Sequence, residues 1–88
     1  MIHNLKCVNP YFQQVKAGAK TFEYRKDDRD FKVGDTLILS EYQPMPLIES
    51  GQYSGDAVKV VVTSLTRSYN CPAPIPDGFC IMSIRLCA

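Results

Sequence analysis

No run of apolar residues in this 88-residue chain is long enough to cross a membrane. Its opening segment, MIHNLKCVNPYF, lacks the hydrophobic stretch of a secretory leader. The expectation is a cytoplasmic protein with reduced thiols. Its four cysteines, Cys7, Cys71, Cys80 and Cys87, include no C-x-x-C pair, so no zinc site is expected. Cys80 sits in an apolar run and reads as a core residue. Surplus charge is missing too. Ten Lys and Arg against nine Asp and Glu leave +1, which exerts no global pull on nucleic acid or membrane, so any electrostatic recognition must be local. There is no phosphate loop, metal-ligand cluster, repeat, low-complexity tract or linker, and neither cofactor nor metal is expected. The length is that of one domain, residues 1–88, with a modest core and a net stability of roughly 3–5 kcal/mol.

What the chain does have is a dense mixture of charges from Gly18 to Asp35, GAKTFEYRKDDRDFKVGD. Lys20, Arg25, Lys26, Arg29 and Lys32 alternate there with Glu23, Asp27, Asp28, Asp30 and Asp35. Large apolar residues are interleaved. From Lys20 to Lys26 the alternation is that of a strand: Phe22 and Tyr24 share one face, Thr21, Glu23 and Arg25 the other. The polar face is either wet, as one side of an antiparallel sheet often is, or one wall of a polar cleft with the aromatics behind it.

The rest of the chain reads mainly as strands. His3 to Val8 forms the first, with Leu5 and Cys7 opposite Ile2, Asn4 and Lys6. Asn9-Pro10 starts a helix that runs to about Ala17, with Phe12 and Val15 on its apolar stripe and Gly18 ending it. Asp27 to Asp30 is a charged loop anchored by Phe31, and Val33-Gly34-Asp35 a tight turn with positive φ at Gly34. A strand from Thr36 to Tyr42 leads into a loop or wide hairpin over Gln43 to Gly55, marked by prolines and glycines. Asp56 to Tyr69 gives a long strand, apolar on both faces and therefore central. Asn70 to Gly78 carries three prolines and is irregular; Phe79 to Leu86 is the last strand. The fold class is mainly β with some α. The expected architecture is a small barrel of about five to six mostly antiparallel strands with one short N-terminal helix, closed by the long strand and the last.

This order of elements carries the motif G-x-K-T-x-E-x-R from Gly18 to Arg25, followed by F-x-V-G-D from Phe31 to Asp35. With His3-Asn4-Leu5-Lys6, Tyr11-Phe12, Asp28-Arg29-Asp30, Leu37 through Tyr42, Tyr53-Ser54-Gly55 and Ile81-Met82-Ser83-Ile84, it resembles the ASCH superfamily and, within it, the small DUF3850 group. The resemblance implies a PUA-like β-barrel and a cleft beside the helix lined by the G-x-K-x-x-x-x-R region. ASCH domains are proposed to bind RNA, and PUA-like domains are RNA binders. Some ASCH proteins are amidohydrolases that act on N4-acetylcytidine. They are similar to this chain at Lys20 and Arg25 but keep a threonine nucleophile at the position of Glu23 and a glutamate on a later strand. Here no glutamate follows Glu49. Both departures argue against carrying that activity over.

Three functional readings follow. In the first, the domain binds RNA or a nucleoside or nucleotide. Lys20 is a point charge for phosphate, and Arg25 a planar fork for phosphate or a base edge. Glu23 is an acceptor for an exocyclic amine or a ribose hydroxyl. Thr21 shares that face, His3 and Lys6 contribute from the first strand, and Tyr42 or Tyr53 either stacks on a base or is a half-buried barrel residue. Asp28 and Arg29 brace the loop. In the second, a small amidohydrolase acts on a modified nucleoside, with Glu23 as general base, Lys20 stabilising the oxyanion, and Thr21 either a displaced nucleophile or, by preference, only a hydrogen-bonding residue. His3 is either an acid or base in the cleft or a satisfied strand residue. The third is a protein-interaction module without a small ligand. The near-neutral charge favours a small ligand or a single nucleotide over a long RNA tract.

Overall fold

A computed structural model describes residues 1–45, 50–67 and 75–87. The elements are β1 (Ile2–Cys7), α1 (Tyr11–Lys16), β2 (Phe22–Lys26), β3 (Thr36–Met45), β4 (Ser50–Arg67) and β5 (Phe79–Leu86). The five strands among the described residues form one sheet in the order β1-β3-β4-β5-β2, curled into a half-barrel. β1 runs parallel to β3; the other three pairings are antiparallel.

Side-chain alternation explains the curl. His3, Leu5 and Cys7 on β1, Leu37 and Leu39 on β3, Val60 and Val62 on β4, and Cys80, Met82 and Ile84 on β5 all point to the concave face and are buried. α1 fills that face with Phe12 and Val15, and Phe31 enters from the loop before β3, 1% exposed. The helix has only six residues, too few for autonomous stability. It is held at both ends. Asn9 Oδ1 accepts from the Gln13 N–H at 3.3 Å, Asn9 and Gln13 both donate to Glu41 on β3, and Lys16 pairs with Asp56 on β4 at 2.6 Å. Gly18, at φ +79°, turns the chain out of the helix. β4 lies at the centre of the sheet, with Val60 and Val62 on the core face and Ala57 and Lys59 exposed on the other.

Three expectations are corrected. First, the long strand and the last strand do not close a barrel. They are neighbours inside the sheet, and its free edges are β1 and β2. A parallel β1–β3 pair needs a crossover, and this crossover contains α1 and β2, which carries β2 to the far edge. Arginines bridge the seam between the edges: Arg25 Nη2 donates to the Lys6 carbonyl, and Arg29 Nη1 to the Asn4 carbonyl at 2.8 Å.

Second, the strand bounds shift: of the two readings of Gln43 to Gly55, loop or wide hairpin, the hairpin holds, because β3 runs on to Met45 and β4 starts at Ser50. Tyr42 pairs with Tyr53, Gln43 with Gln52, Pro44 with Gly51 and Met45 with Ser50. Proline is tolerated because β1 ends opposite Glu41, so beyond that point β3 has a strand on one side only. Residues 46–49, which include Pro46 and Glu49, lie outside the described residues, as do residues 68–74 with Cys71 and most of the irregular segment. Third, Phe22 and Tyr24 do not pack behind a cleft. They stand on the outer face, 47% and 52% exposed, while Glu23 points inward and is buried.

Candidate functional site

β2 has an inverted pattern: its inward residue is an acid and its outward residues are aromatic. Glu23 is stable there because both carboxylate oxygens have cationic donors. Lys20 Nζ lies 3.1 Å from Oε1, and Arg25 Nε 2.9 Å from Oε2. The carboxylate is 5% exposed and its partners 14% and 26%. A buried acid without such donors would cost several kcal/mol. Lys20 is held further by two rings, its ammonium lying 5.2 Å from the Tyr11 centroid and 4.9 Å from that of Phe22. Arg25 spends a second donor on the Lys6 carbonyl across the seam. One acid thus fixes two cations that line an open hollow of about 460 Å³, together with Lys6, Cys7, Tyr11 and Phe22 among others. With Lys6 added, the ionised groups on this lining sum to +2.

Cys7 also lines the hollow. Burial pushes its thiol pKa up, and the Glu23 carboxylate adds to the rise. That rise favours the neutral thiol over the nucleophilic thiolate. Among the described residues no three His, Cys, Asp or Glu side chains gather as a metal site.

The other residues named from the sequence lie elsewhere. His3 is buried on β1, and its Nε2 is 2.8 Å from Asp35 Oδ2, with its ring edge-on to Phe31 at 4.8 Å. Asp35 also accepts from the Lys32 N–H at 3.0 Å; the bond to His3, chiefly, holds its pKa at about 2. The pair clasps the start of β1 to the turn before β3. Thr21 precedes β2, its carbonyl accepts from Ile84 N–H at 2.9 Å, and it lines a separate apolar niche by Val15, Gly18 and Leu86. Tyr42 is outside the Glu23 hollow, in the next one. There its ring meets that of Tyr53 at 5.0 Å and 60°, with the Lys6 ammonium 4.5 Å above it. Tyr11 and Phe22 were not expected at the site. A lone aromatic at a helix start and an outward strand aromatic carry no signal until the fold sets both around Lys20.

Two neighbouring hollows share walls with the first. One of about 660 Å³ contains Asn9, Glu41, Tyr42, Gln52 and Tyr53. The other, of about 500 Å³, contains Asn4, Lys6, Arg25, Arg29, Ser40 and Tyr53. A local irregularity shapes them: between the Ser40–Ala57 and Tyr42–Tyr53 pairs, β4 has extra residues with Gly55 at φ +93°. Bulges of this kind re-aim side chains near sites.

The sequence matches the family model described as a domain of unknown function, DUF3850, over residues 2–84. It is 38% identical over 65 residues to an uncharacterised 12.9 kDa protein from the GpA 3′ region of Escherichia phage P2. The match takes in 74% of this chain and 54% of the phage protein, so the chain spans about half the length of the curated relative it matches. A family model that runs from the first strand into the last, taking in Lys20, Glu23 and Arg25, makes this chain a member of the DUF3850 family.

Proposed function

We propose that this domain is an RNA- or nucleotide-binding module of the PUA-like kind, and that its first contact is the hollow around Lys20, Glu23 and Arg25. The observation that supports it is a fixed pair of cations beside exposed aromatic surface. One buried carboxylate orients both, Tyr11 is 50% and Phe22 47% exposed, and the lining is positive in a chain that is almost neutral. Phosphate takes the remaining donors of Arg25 and the ammonium of Lys20; a base lies against a ring. Glu23 serves as the clamp. Supporting a clamp rather than a general base is the bonding of both its oxygens to cations.

Titration calorimetry with the four nucleoside 5′-monophosphates tests the reading. Lys20→Ala and Arg25→Ala are each expected to weaken binding at least tenfold, the loss of one charge-assisted hydrogen bond, while the circular dichroism spectrum stays that of the parent. Unchanged affinity in both variants would sink the site. On this reading, incubation with N4-acetylcytidine releases no acetate, and acetate release that Glu23→Gln abolishes would replace it by hydrolysis.

A further inference from the structure

The 500 Å³ hollow beside the first shares Lys6 and Arg25 with it and adds Arg29, Ser40 and Tyr53. Its named lining has three cations and no carboxylate. Each cation retains capacity. Arg25 uses one donor on Glu23 and one on the Lys6 carbonyl, of five N–H groups. Arg29 uses one on the Asn4 carbonyl, and its Nε lies a loose 3.9 Å from the solvated Asp28. Lys6 has no carboxylate partner among the described residues; its ammonium rests over the Tyr42 ring. The carbonyls that seat the two guanidinium groups are two residues apart on β1, about 6.6 Å. That is comparable to the repeat of an extended sugar–phosphate chain.

An aromatic platform adjoins this second cationic step. Tyr53 is 54% exposed and lines the hollow itself. It is braced by Tyr42, whose phenol lies so close over Gly51 that a Cβ there would come within 2.0 Å of its oxygen. Glu41, which lines the hollow beyond, has its carboxylate tied to Asn9 and Gln13.

Resting on the nucleotide-binding reading above, we propose that this hollow is a second nucleotide subsite and that the ligand is a single strand of at least two nucleotides. The strand crosses the seam between β1 and β2, its second phosphate held by Lys6 and Arg29 and its second base stacked on Tyr53. Each further subsite of this type adds an aromatic contact and a phosphate contact, and the two have separable signatures.

Calorimetry with uridine 5′-monophosphate and the 5′-phosphorylated dinucleotide pUpU distinguishes the subsites. The dinucleotide is expected to bind about tenfold more tightly. Its salt dependence should also be steeper, by about 0.7 in the slope of log affinity against log salt. Tyr53→Ala and Arg29→Ala, both at exposed positions, should each remove most of that gain and leave the mononucleotide affinity as it was. Equal affinities for the two probes, or a gain that survives both substitutions, overturns the second subsite and leaves the first. No binding of either probe overturns both. Binding of a penta-aspartate peptide as tightly as pUpU also overturns the proposal, since it would show that the surface selects negative charge on a polypeptide.

Discussion

Glu23 and Asp35 are buried acids with opposite uses. Glu23 holds two cations at the edge of a hollow, while Asp35 holds a histidine and a turn within the core. Removing the Glu23 charge leaves Lys20 and Arg25 close together without a counterion. Glu23→Gln is therefore expected to cost about 1–3 kcal/mol, less than a fully buried pair because both partners keep some solvent. Urea unfolding measures it, and a change below about 0.5 kcal/mol would mean the clamp is solvated. The Asp35 carboxyl is held at about 2, below its unfolded value of 3.8. Its contribution to stability is complete above about pH 4 and is lost as pH falls through about 2, roughly 2 kcal/mol in all. Asp35→Asn should lose that increment at neutral pH and flatten the stability profile between pH 4 and pH 2. An acid limb unchanged by the substitution would place the titrating group elsewhere.

At the scale of elements, the β3–β4 ladder beyond Ser40 is where pattern reading left loop and wide hairpin both open. Prolines and glycines there indicate turn, yet the strands stay paired to Met45 and Ser50. Gly51 works as a seat rather than a hinge: it has no side chain because the Tyr42 phenol lies across it from the diagonal position. Gly51→Ala should displace that ring and open the Tyr42–Tyr53 contact. Nuclear magnetic resonance can follow the Tyr42 and Tyr53 ring protons, and unchanged ring shifts would contradict the packing. On the proposed reading the same substitution weakens pUpU more than the mononucleotide.

The described residues form a half-barrel whose concave face is filled by a six-residue helix and a loop phenylalanine rather than by closure of the sheet. Its core is small, so single residues count heavily. Phe12 is the helix's largest buried side chain, with no exposure. Phe12→Ala is expected to cost about 3–5 kcal/mol, comparable to the stability available to a domain of this size. The variant should lack a cooperative thermal transition. A melting curve within a few degrees of the parent would show that α1 adds little to the fold.

Much of the fold was legible because strand periodicity depends only on neighbours in sequence. The inward pair Leu5 and Cys7 of β1, the core position of Cys80, the centrality of β4 and the positive φ at Gly34 all follow from local alternation and turn chemistry. The sequence also singled out Lys20, Glu23 and Arg25 as one group, since i, i+3 and i+5 about a strand start bring them near one another. It could not say which face of β2 turns inward. A strand of alternating aromatic and charged residues has two plausible orientations, and only the pairing of Glu23 with both cations makes the charged one affordable. Nor could it give the open seam, the union of Tyr11 and Phe22 around Lys20, or the Tyr42–Tyr53 platform beside Lys6. Those depend on which strands end as edges, and strand order is decided by contacts between residues far apart in the chain.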